Sequence, residues 1–350
     1  MVKSKGGPGA QHLADPEPAQ EKAAILASQA SYLIATAARA PSVHNTQPWR
    51  FKVTPDSIEL YADLRRKLHL DPSGRELLIS CGAALFGLRL AVRSLGYQPL
   101  VDLLPDPARL RLLARVRLGA LEPMTGAERR MLVAMPHRHT HRSPFTAGPL
   151  PTGLLAGLQQ DALAEGAALA LIEPGVSYWQ LADIVSAAGP RQDLDPIARA
   201  ETRRWSRPAG SAARDGIPAL AFPARAARVP RRPGDQDGRL RQRDFDLDRG
   251  LGLLTVGGPP AAATAVLITT RDGRADWLRA GQALHRLLAH AAEHWVFASL
   301  YTQPLEAAAI RALIRRRLAL PGAPQVLLQL GLARTTRATA RRPPAELTET

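Results

Sequence analysis

The stretch PSVHNTQPWRF, residues 41–51, joins a run with helical periodicity to a run typical of a strand. Pro41 disfavours helix at the residue before it, and Pro48 holds Gln47 extended, so the polar side chains between them are aimed by a constrained backbone. Such a turn offers several neutral donors and acceptors to a flat polar ligand. From the residues alone, an ordinary helix-to-strand connection whose polar groups bond their own backbone is an equally good interpretation.

Length and composition place the chain among globular proteins. Its 350 residues, 45% hydrophobic and 22% charged, suffice for two domains or one large α/β body. The lone cysteine, Cys81, excludes an internal disulfide framework, fits a reducing cytoplasm and lies in step with apolar neighbours, which indicates a buried small residue. We find no uninterrupted apolar run of about 20 residues, so no membrane span is expected. Residues 1–20 have no apolar segment and are predicted to be a disordered tail without an export signal.

The formal net charge of +15 raises the question of nucleic-acid binding. Arginine supplies most of the excess, and the arginines are spread along an alanine-rich and proline-rich chain without interleaved aromatic residues. We therefore disfavour a nucleic-acid role. A positive field would still attract anionic small molecules such as phosphates and dinucleotides.

Hydrophobic periodicity predicts a mixture of helices and strands along the whole chain. Helices are expected at 19–39, 75–95 with a left-handed stop at Gly96, 125–135, 153–165, 178–188, and 276–298. Strands are expected at 49–53, 57–62, 100–104, 109–118, 167–172 and 325–330.

A weak internal repeat links the two halves of the chain. SLGYQP at 94–99 and SLYTQP at 299–304 each close a long predicted helix, and each precedes a strand ending in Leu-Gly. The same order in both halves indicates duplication, the arrangement expected when a dimeric fold is fused into one polypeptide.

Residues 189–250 differ from both halves, because they are rich in Pro, Gly, Asp and Arg and have few apolar runs. A structureless excursion of this length is usually mobile or functional. Trp205 and Ile217 favour an ordered lid over an active site, since both side chains need a surface to bury against; a disordered insertion is the alternative.

The opening stretch closely resembles the Pro-Ser-x-x-Asn-x-Gln-Pro-Trp-x-Phe signature of the FMN-binding nitroreductase family, and the whole chain resembles its Acg-type branch, in which two nitroreductase-like halves share one chain. The resemblance implies an α+β fold in which two related halves form an intramolecular pseudo-dimer. The expected halves are 21–122 and 123–335, the second carrying the lid-like insertion 189–250, followed by a basic tail at 336–350. In that family the signature loop faces the flavin, which points to Ser42, Asn45 and Gln47.

A second stretch, RHTHRSPF at 138–145, resembles the Arg-[Arg/His]-[Ser/Thr]-x-Arg segment of the same family. By resemblance, Arg138 holds the FMN phosphate, Thr140 the ribityl-phosphate end, and Arg142 the pyrimidine edge of the ring. A fixed guanidinium suits the negative charge that reduced flavin carries there. Read in isolation, the stretch is better interpreted as a solvated basic turn.

The two motifs lie in different halves, so the resemblance implies one retained flavin site built from both. Further cofactor contacts implied by the resemblance are the backbone at Ser299 and Leu300 and late arginines, Arg337, Arg341 or Arg342.

Two histidine patterns suggest metal binding but lack a complete ligand set. His137, His139 and His141 alternate between two prolines, where a loop is more plausible than a strand, and no Cys or carboxylate cluster lies nearby. The segment HAAEH at 290–294 matches the inverted zincin pattern, yet it falls on an amphipathic helix whose exposed face explains the charges. No metal site is predicted.

The function implied by the resemblance is an FMN-dependent NAD(P)H oxidoreductase that passes a hydride through flavin N5 to a nitroaromatic or quinone-like acceptor. NADH or NADPH would bind transiently, because the chain has neither a Gly-x-Gly-x-x-Gly fingerprint nor a Walker loop. The flavin carries the chemistry, so no catalytic side chain is predicted. We expect a cytoplasmic monomer with a small-molecule acceptor as its partner, and neither nucleic acid nor membrane. The alternative is a low-turnover FMN-binding or storage protein whose lid covers the site.

Overall fold

The computed structural model describes residues 18–143, 145–222, 240, 243, 245, 247, 262–334 and 337–349. Its first half packs two helices against an antiparallel sheet with the strand order β1-β2-β4-β3, and a third helix packs against the two long helices of the protein. In chain order these elements are α1 (Pro18–Ala37), β1 (Trp49–Val53), β2 (Ile58–Ala62), α2 (Arg75–Ser94), β3 (Tyr97–Leu103), β4 (Leu112–Leu121) and α3 (Gly126–Ala134).

The second half builds an antiparallel sheet with the order β5-β8-β10-β9. Its elements are α4 (Leu154–Ala164), β5 (Ala168–Ile172), α5 (Val176–Leu194), α6 (Pro196–Trp205), β6 (Ser206–Arg207), β7 (Ile217–Pro218), β8 (Ala263–Thr269), α7 (Arg274–Glu293), β9 (Val296–Tyr301), α8 (Gln303–Glu306), α9 (Ala308–Arg317), β10 (Ala323–Leu332) and α10 (Pro344–Leu347). The α+β fold class is therefore confirmed.

Both sheets repeat one topology. In each half the first, second, fourth and third strands lie side by side, and one long helix connects the second strand to the third. This shared order supports the duplication that the sequence repeat indicates. The interpretation as an internal pseudo-dimer, with the domain boundaries given above, stays a prediction.

The long helices α2 and α7 cross at the centre of the protein with their backbones in contact. A Cβ atom on Gly82 would lie 2.2 Å from the carbonyl oxygen of Leu278, and one on Gly281 would lie 2.0 Å from that of Ile79. Only glycine permits this approach. Among the described residues α2 is also the one helix long and apolar enough to cross a membrane, and 89% of its apolar window is buried inside the protein.

The second long helix ends earlier than predicted. We expected it to reach Ala298, but it stops at Glu293 and the chain continues as β9, so Ser299 and Leu300 lie in a strand. The helix is terminated at Trp295, whose φ of 54° is left-handed. Gly96, with a φ of 83°, has the same role after α2. A tryptophan, unlike a glycine, does not mark a left-handed helix end in the sequence. Because the helix ends earlier than expected, the predicted alignment of 94–99 with 299–304 was wrong.

The excursion is partly ordered, and its role as a lid stays a prediction. Residues 195–222 form α6, the parallel pair β6 and β7, and a 3-10 turn, and both Trp205 and Ile217 are buried as expected. The tail also packs back, because Leu347 of α10 is fully buried and Thr348 pairs with Phe51 of β1. The predicted disordered tail, apart from its last residues in α1, and most of 223–250 lie outside the described residues.

Candidate functional site

The signature loop is held in a strained backbone conformation. His44, Asn45 and Gln47 have φ values of 48°, 55° and 49°, in a region that residues with a Cβ atom rarely adopt. Ser42 stabilises the turn, because its Oγ accepts a 3.0 Å hydrogen bond from the Gln47 N–H. Strain of this kind persists only where surrounding structure enforces it, and it is common at ligand sites.

Asn45 and Gln47 line neither of the two cavities described below, and their cofactor-binding role stays a prediction. The Asn45 amide donates to the carbonyls of Gly216 and Ala340 at 3.0 and 3.1 Å, and its Oδ1 accepts from Arg341 at 3.0 Å. Gln47 donates to the Arg214 carbonyl at 2.7 Å and accepts from the Arg342 N–H at 2.8 Å. Both side chains therefore fasten the excursion and the C-terminal segment to the loop.

Four of the predicted residues meet in one cavity, here called the central cavity, between the two halves. Ser42, Thr140, Arg142 and Leu300 line it, and so do Ile217, Phe222 and Phe245 of the excursion. Further parts of its wall come from the signature loop, α2, α7, residues 301–304 and β10. The cavity is narrow, about 100 Å³, because the excursion forms one of its sides.

The arginine segment reaches this cavity as an extension of the second sheet. Thr140 pairs with Ala298 of β9, the His141 N–H donates to the Ala298 carbonyl at 2.8 Å, and Ser299 Oγ donates to the His141 carbonyl at 2.9 Å. The Ser299 side chain therefore positions the segment, while Leu300 contacts the cavity.

Three arginines have no carboxylate partner in the described part of the chain: Arg138, which is buried, and Arg142 and Arg341, which are half-buried. Burial lowers the pKa of Arg138 to about 9. Burial also lowers the pKa of Arg142 and that of Arg341 to about 10, and neighbouring cations make a smaller contribution for Arg341. Arg138 donates to the Arg39 carbonyl at 2.9 Å, and its Nε has no partner. Uncompensated buried cations are costly, so this cluster is suited to an anion.

A second cavity of about 370 Å³, here called the arginine cavity, holds part of the cluster. Arg138 and Arg341 line it together with Arg39, Arg342 and Thr339. Arg337, a predicted phosphate contact, lies outside both cavities; it is exposed and donates to the Leu220 carbonyl at 3.2 Å.

Two side chains of the central cavity were missed by the sequence predictions: His44 and Glu76. His44 is 6% exposed, and both ring nitrogens lack partners; burial first, then Arg243 and Arg142, hold its pKa well below 6.5. Glu76 is 5% exposed, and its Oε2 has no partner. A charged residue in the first turn of an otherwise apolar helix was the available signal for Glu76.

The histidine patterns are used structurally. His290 contacts Asp161 at 2.5 Å, Glu293 accepts from Arg130 at 3.1 Å, and a ring nitrogen of His139 lies 3.1 Å from the Pro136 carbonyl. No group of His, Cys, Asp and Glu suited to a metal ion occurs within the residues that the structure describes.

Comparison of the sequence with known proteins identifies the family of this chain. A Mycobacterium tuberculosis protein named "Putative NAD(P)H nitroreductase Rv3131" is 33% identical over 306 residues, which cover 86% of this chain and 84% of that protein. The chain belongs to the nitroreductase family. The acg protein of the same organism, also named as an NAD(P)H nitroreductase, is 28% identical and is covered to 87%, which confirms the Acg-type resemblance.

Two further matches complete the comparison of this nitroreductase family member. The M. tuberculosis "Uncharacterized protein Rv3127" is 30% identical over 305 residues, 85% of each chain. A nitroreductase-like family protein from Bacillus cereus matches in structure with a TM-score of 0.35 and 14% identity, over 63% of this chain and 95% of that one. No family model matches the chain.

Proposed function

We propose that the protein is an FMN-dependent NAD(P)H oxidoreductase that reduces nitroaromatic or quinone-like acceptors. Family membership supports the oxidoreductase class. FMN, when bound, supplies the acceptance and donation of a hydride. The chain's own residues bind it, orient it and exclude water.

The observation that carries the proposal is the cluster of Arg138, Arg142 and Arg341. These three guanidinium groups, one buried and two half-buried, share no carboxylate among the described residues and suit an anion. A phosphate accepts several such donors at once. The arginine cavity fits the phosphate end of FMN, with Arg138 and Arg341 on its wall. Arg142 lies in the central cavity, where it suits the pyrimidine edge of a flat ring.

The central cavity also has the polarity expected of a flavin ring site. Its walls combine apolar side chains from both halves with a few polar atoms that lack protein partners, among them the His44 nitrogens. Buried polar atoms without partners are rare in native proteins, and a ligand that bonds them removes the cost. Ser42 and Thr140 add hydroxyl groups to the same wall.

Reconstitution with FMN and with riboflavin tests this assignment, because the two ligands differ only in the phosphate. We expect Arg138→Gln and Arg341→Gln to weaken FMN binding by about tenfold to a hundredfold and riboflavin binding little, given about 1.5–3 kcal/mol for each bond to a charged group. Arg142→Gln should weaken both ligands. Arg129→Gln, at an exposed arginine of α3, is the matched control. Equal losses for all four variants, or no uptake of FMN by the wild type, would overturn the proposal.

A second candidate function is a low-turnover flavin-binding or storage protein, favoured by the narrowness of the central cavity and by the aromatic side chains that the excursion places in its wall. Anaerobic titration of the reconstituted protein with NADH and NADPH separates the two. A flavin spectrum that bleaches promptly supports a reductase, and one that stays oxidised supports storage.

The remaining parts of the proposal concern surroundings and assembly. We propose a cytoplasmic monomer whose two halves act as an internal pseudo-dimer around a single FMN site. Its partner is a small-molecule electron acceptor, with no role for nucleic acid or a membrane. The supporting features are the shared strand order of the two sheets and the cavity that residues from both halves line.

A further inference from the structure

Glu76 lies in the first turn of α2, with its side chain in the wall of the central cavity. One carboxyl oxygen, Oε1, accepts a 3.2 Å hydrogen bond from Arg75. The other, Oε2, is buried and has no hydrogen-bond partner among the residues that the structure describes. A carboxylate oxygen in this position is costly, whereas a protonated oxygen could donate to a ligand in the cavity.

A second buried carboxyl group, Glu306, faces the same region. Its Oε1 accepts from Arg243, and its Oε2 also lacks a partner. The charged groups acting on Glu76 are Glu306 and Asp71, which raise its pKa, and Arg75 and Arg243, which lower it. Burial is the largest influence, and the net result is a pKa well above the usual value of 4.5. Burial and the unpartnered Oε2 therefore both favour the protonated carboxylic acid at Glu76.

Three other side chains of the cavity, His44, Tyr301 and Arg142, are poorer proton donors. His44 is neutral, because its pKa lies well below 6.5, and so it has no acidic proton to give. The hydroxyl of Tyr301 already donates to Gln329 Oε1 at 2.7 Å. Arg142 keeps its proton throughout the neutral range.

We propose that Glu76 is a catalytic residue that donates a proton to the electron acceptor. This inference rests on the proposed function. Each hydride that a nitro or quinone-like acceptor receives must be matched by one proton. The O–H bond at Glu76 Oε2 breaks, the proton goes to an oxygen of the acceptor, and the bonding electron pair stays on Glu76 as a carboxylate. Arg75 stabilises that carboxylate, and solvent returns the proton after product release.

The test separates the two halves of the reaction. The flavin of the reconstituted protein is first reduced with dithionite and then mixed with a quinone, so the acceptor step is measured without nicotinamide. Glu76→Gln keeps the acceptor oxygen for Arg75 but has no acidic proton, and we expect about a hundredfold slower oxidation by the quinone. Reduction of its flavin by NAD(P)H should remain as in the wild type. Glu173→Gln, an exposed carboxyl, is the control.

Two further readouts do not depend on turnover or on Glu76→Gln folding well. The wild type should show an infrared band of a buried protonated carboxyl near neutral pH that Glu76→Gln loses and Glu173→Gln retains. Glu306→Gln removes a charge that raises the Glu76 pKa. The pH above which acceptor reduction slows should therefore be lower in this variant than in the wild type. Wild-type rates in Glu76→Gln, a missing band, or an unmoved pH profile would overturn the inference. Failure of the wild type to bind FMN would instead overturn the proposed function.

Discussion

Buried histidines give this protein an acid-sensitive interior at the scale of single residues. His285 is fully buried between the two long helices, and one ring nitrogen lies 2.7 Å from the Ala83 carbonyl. Burial, and then the charges of Arg138 and Arg341, lower its pKa to about 3. His139 is shifted to about 3 by burial and the same two arginines. Such residues stay neutral in the folded protein at a pH where the unfolded chain takes up protons.

We predict that stability falls as the pH drops below about 6.5. Below this pH, His285 binds a proton in the unfolded chain but not in the folded protein. The free energy of unfolding therefore decreases toward pH 3. His285→Gln keeps a donor for Ala83 and cannot titrate. Between about pH 7.5 and pH 5, the free energy of unfolding of this variant should decrease by about 2 kcal/mol less than that of the wild type. Urea unfolding at the two pH values measures the difference.

His290 provides a contrast of opposite sign. Its hydrogen bond to Asp161 raises its pKa, so its contribution is present at low pH and is lost as the pH rises through the folded-state value. His290→Gln should therefore make the acid loss steeper. Identical pH profiles for the two variants and the wild type would contradict this account.

The crossing of α2 and α7 decides how the two halves meet at the scale of elements. Gly82 and Gly281 bring the helix backbones together at one point, and alanine and leucine side chains fill the surrounding contact. Because the cavity residues Glu76 and Leu284 sit on these two helices, the crossing also sets the width of the site.

We predict that Gly281→Ala destabilises the protein by about 3 kcal/mol, since the new methyl group meets the Ile79 backbone carbonyl and can be accommodated only by separating the helices. Gly126→Ala is the matched control, because a Cβ there would make only an ordinary contact, 3.6 Å, with Arg130. Thermal unfolding of both variants measures the difference, and equal shifts would show that the crossing tolerates a wider spacing.

At the scale of the whole molecule, the excursion closes a cavity that both halves build. Its base is fastened by Asn45 and Gln47 to residues 214–216, and Arg66 pairs with Asp215 at 2.9 Å. Phe222 then reaches the Arg142 guanidinium, 5.6 Å from its ring centre. The described part of the excursion is thus anchored at residues 214–216 and packs against the cavity at Phe222.

We predict that Phe222→Ala accelerates flavin uptake about tenfold or more. Loss of a buried phenyl ring costs the closed arrangement about 3 kcal/mol and so raises the share of open molecules. Leu220→Ala is the control, because Leu220 is 64% exposed. Stopped-flow fluorescence of FMN with flavin-free protein gives the rates. Equal rates in both variants would mean that the excursion does not limit entry.

The sequence by itself determined the elements around the signature loop and the family to which the chain belongs. Local periodicity predicted α1, β1, β2 and α2, and Gly96 marked the end of α2, because these features depend on neighbours along the chain. The eleven-residue signature identified the family for the same reason: its information is local. The end of α7 escaped prediction, since Trp295 adopts a left-handed conformation that only its surroundings enforce.

Only the tertiary structure decided which polar groups are available to a ligand. Asn45 and Gln47 bond to backbone about 170 and 295 positions away in the chain, whereas His44 beside them is buried without a partner. The pKa of Glu76 is likewise raised by burial and by Glu306, 230 residues later. Hydrogen-bond partners and pKa values follow from distances in space and from burial, which a local pattern does not encode.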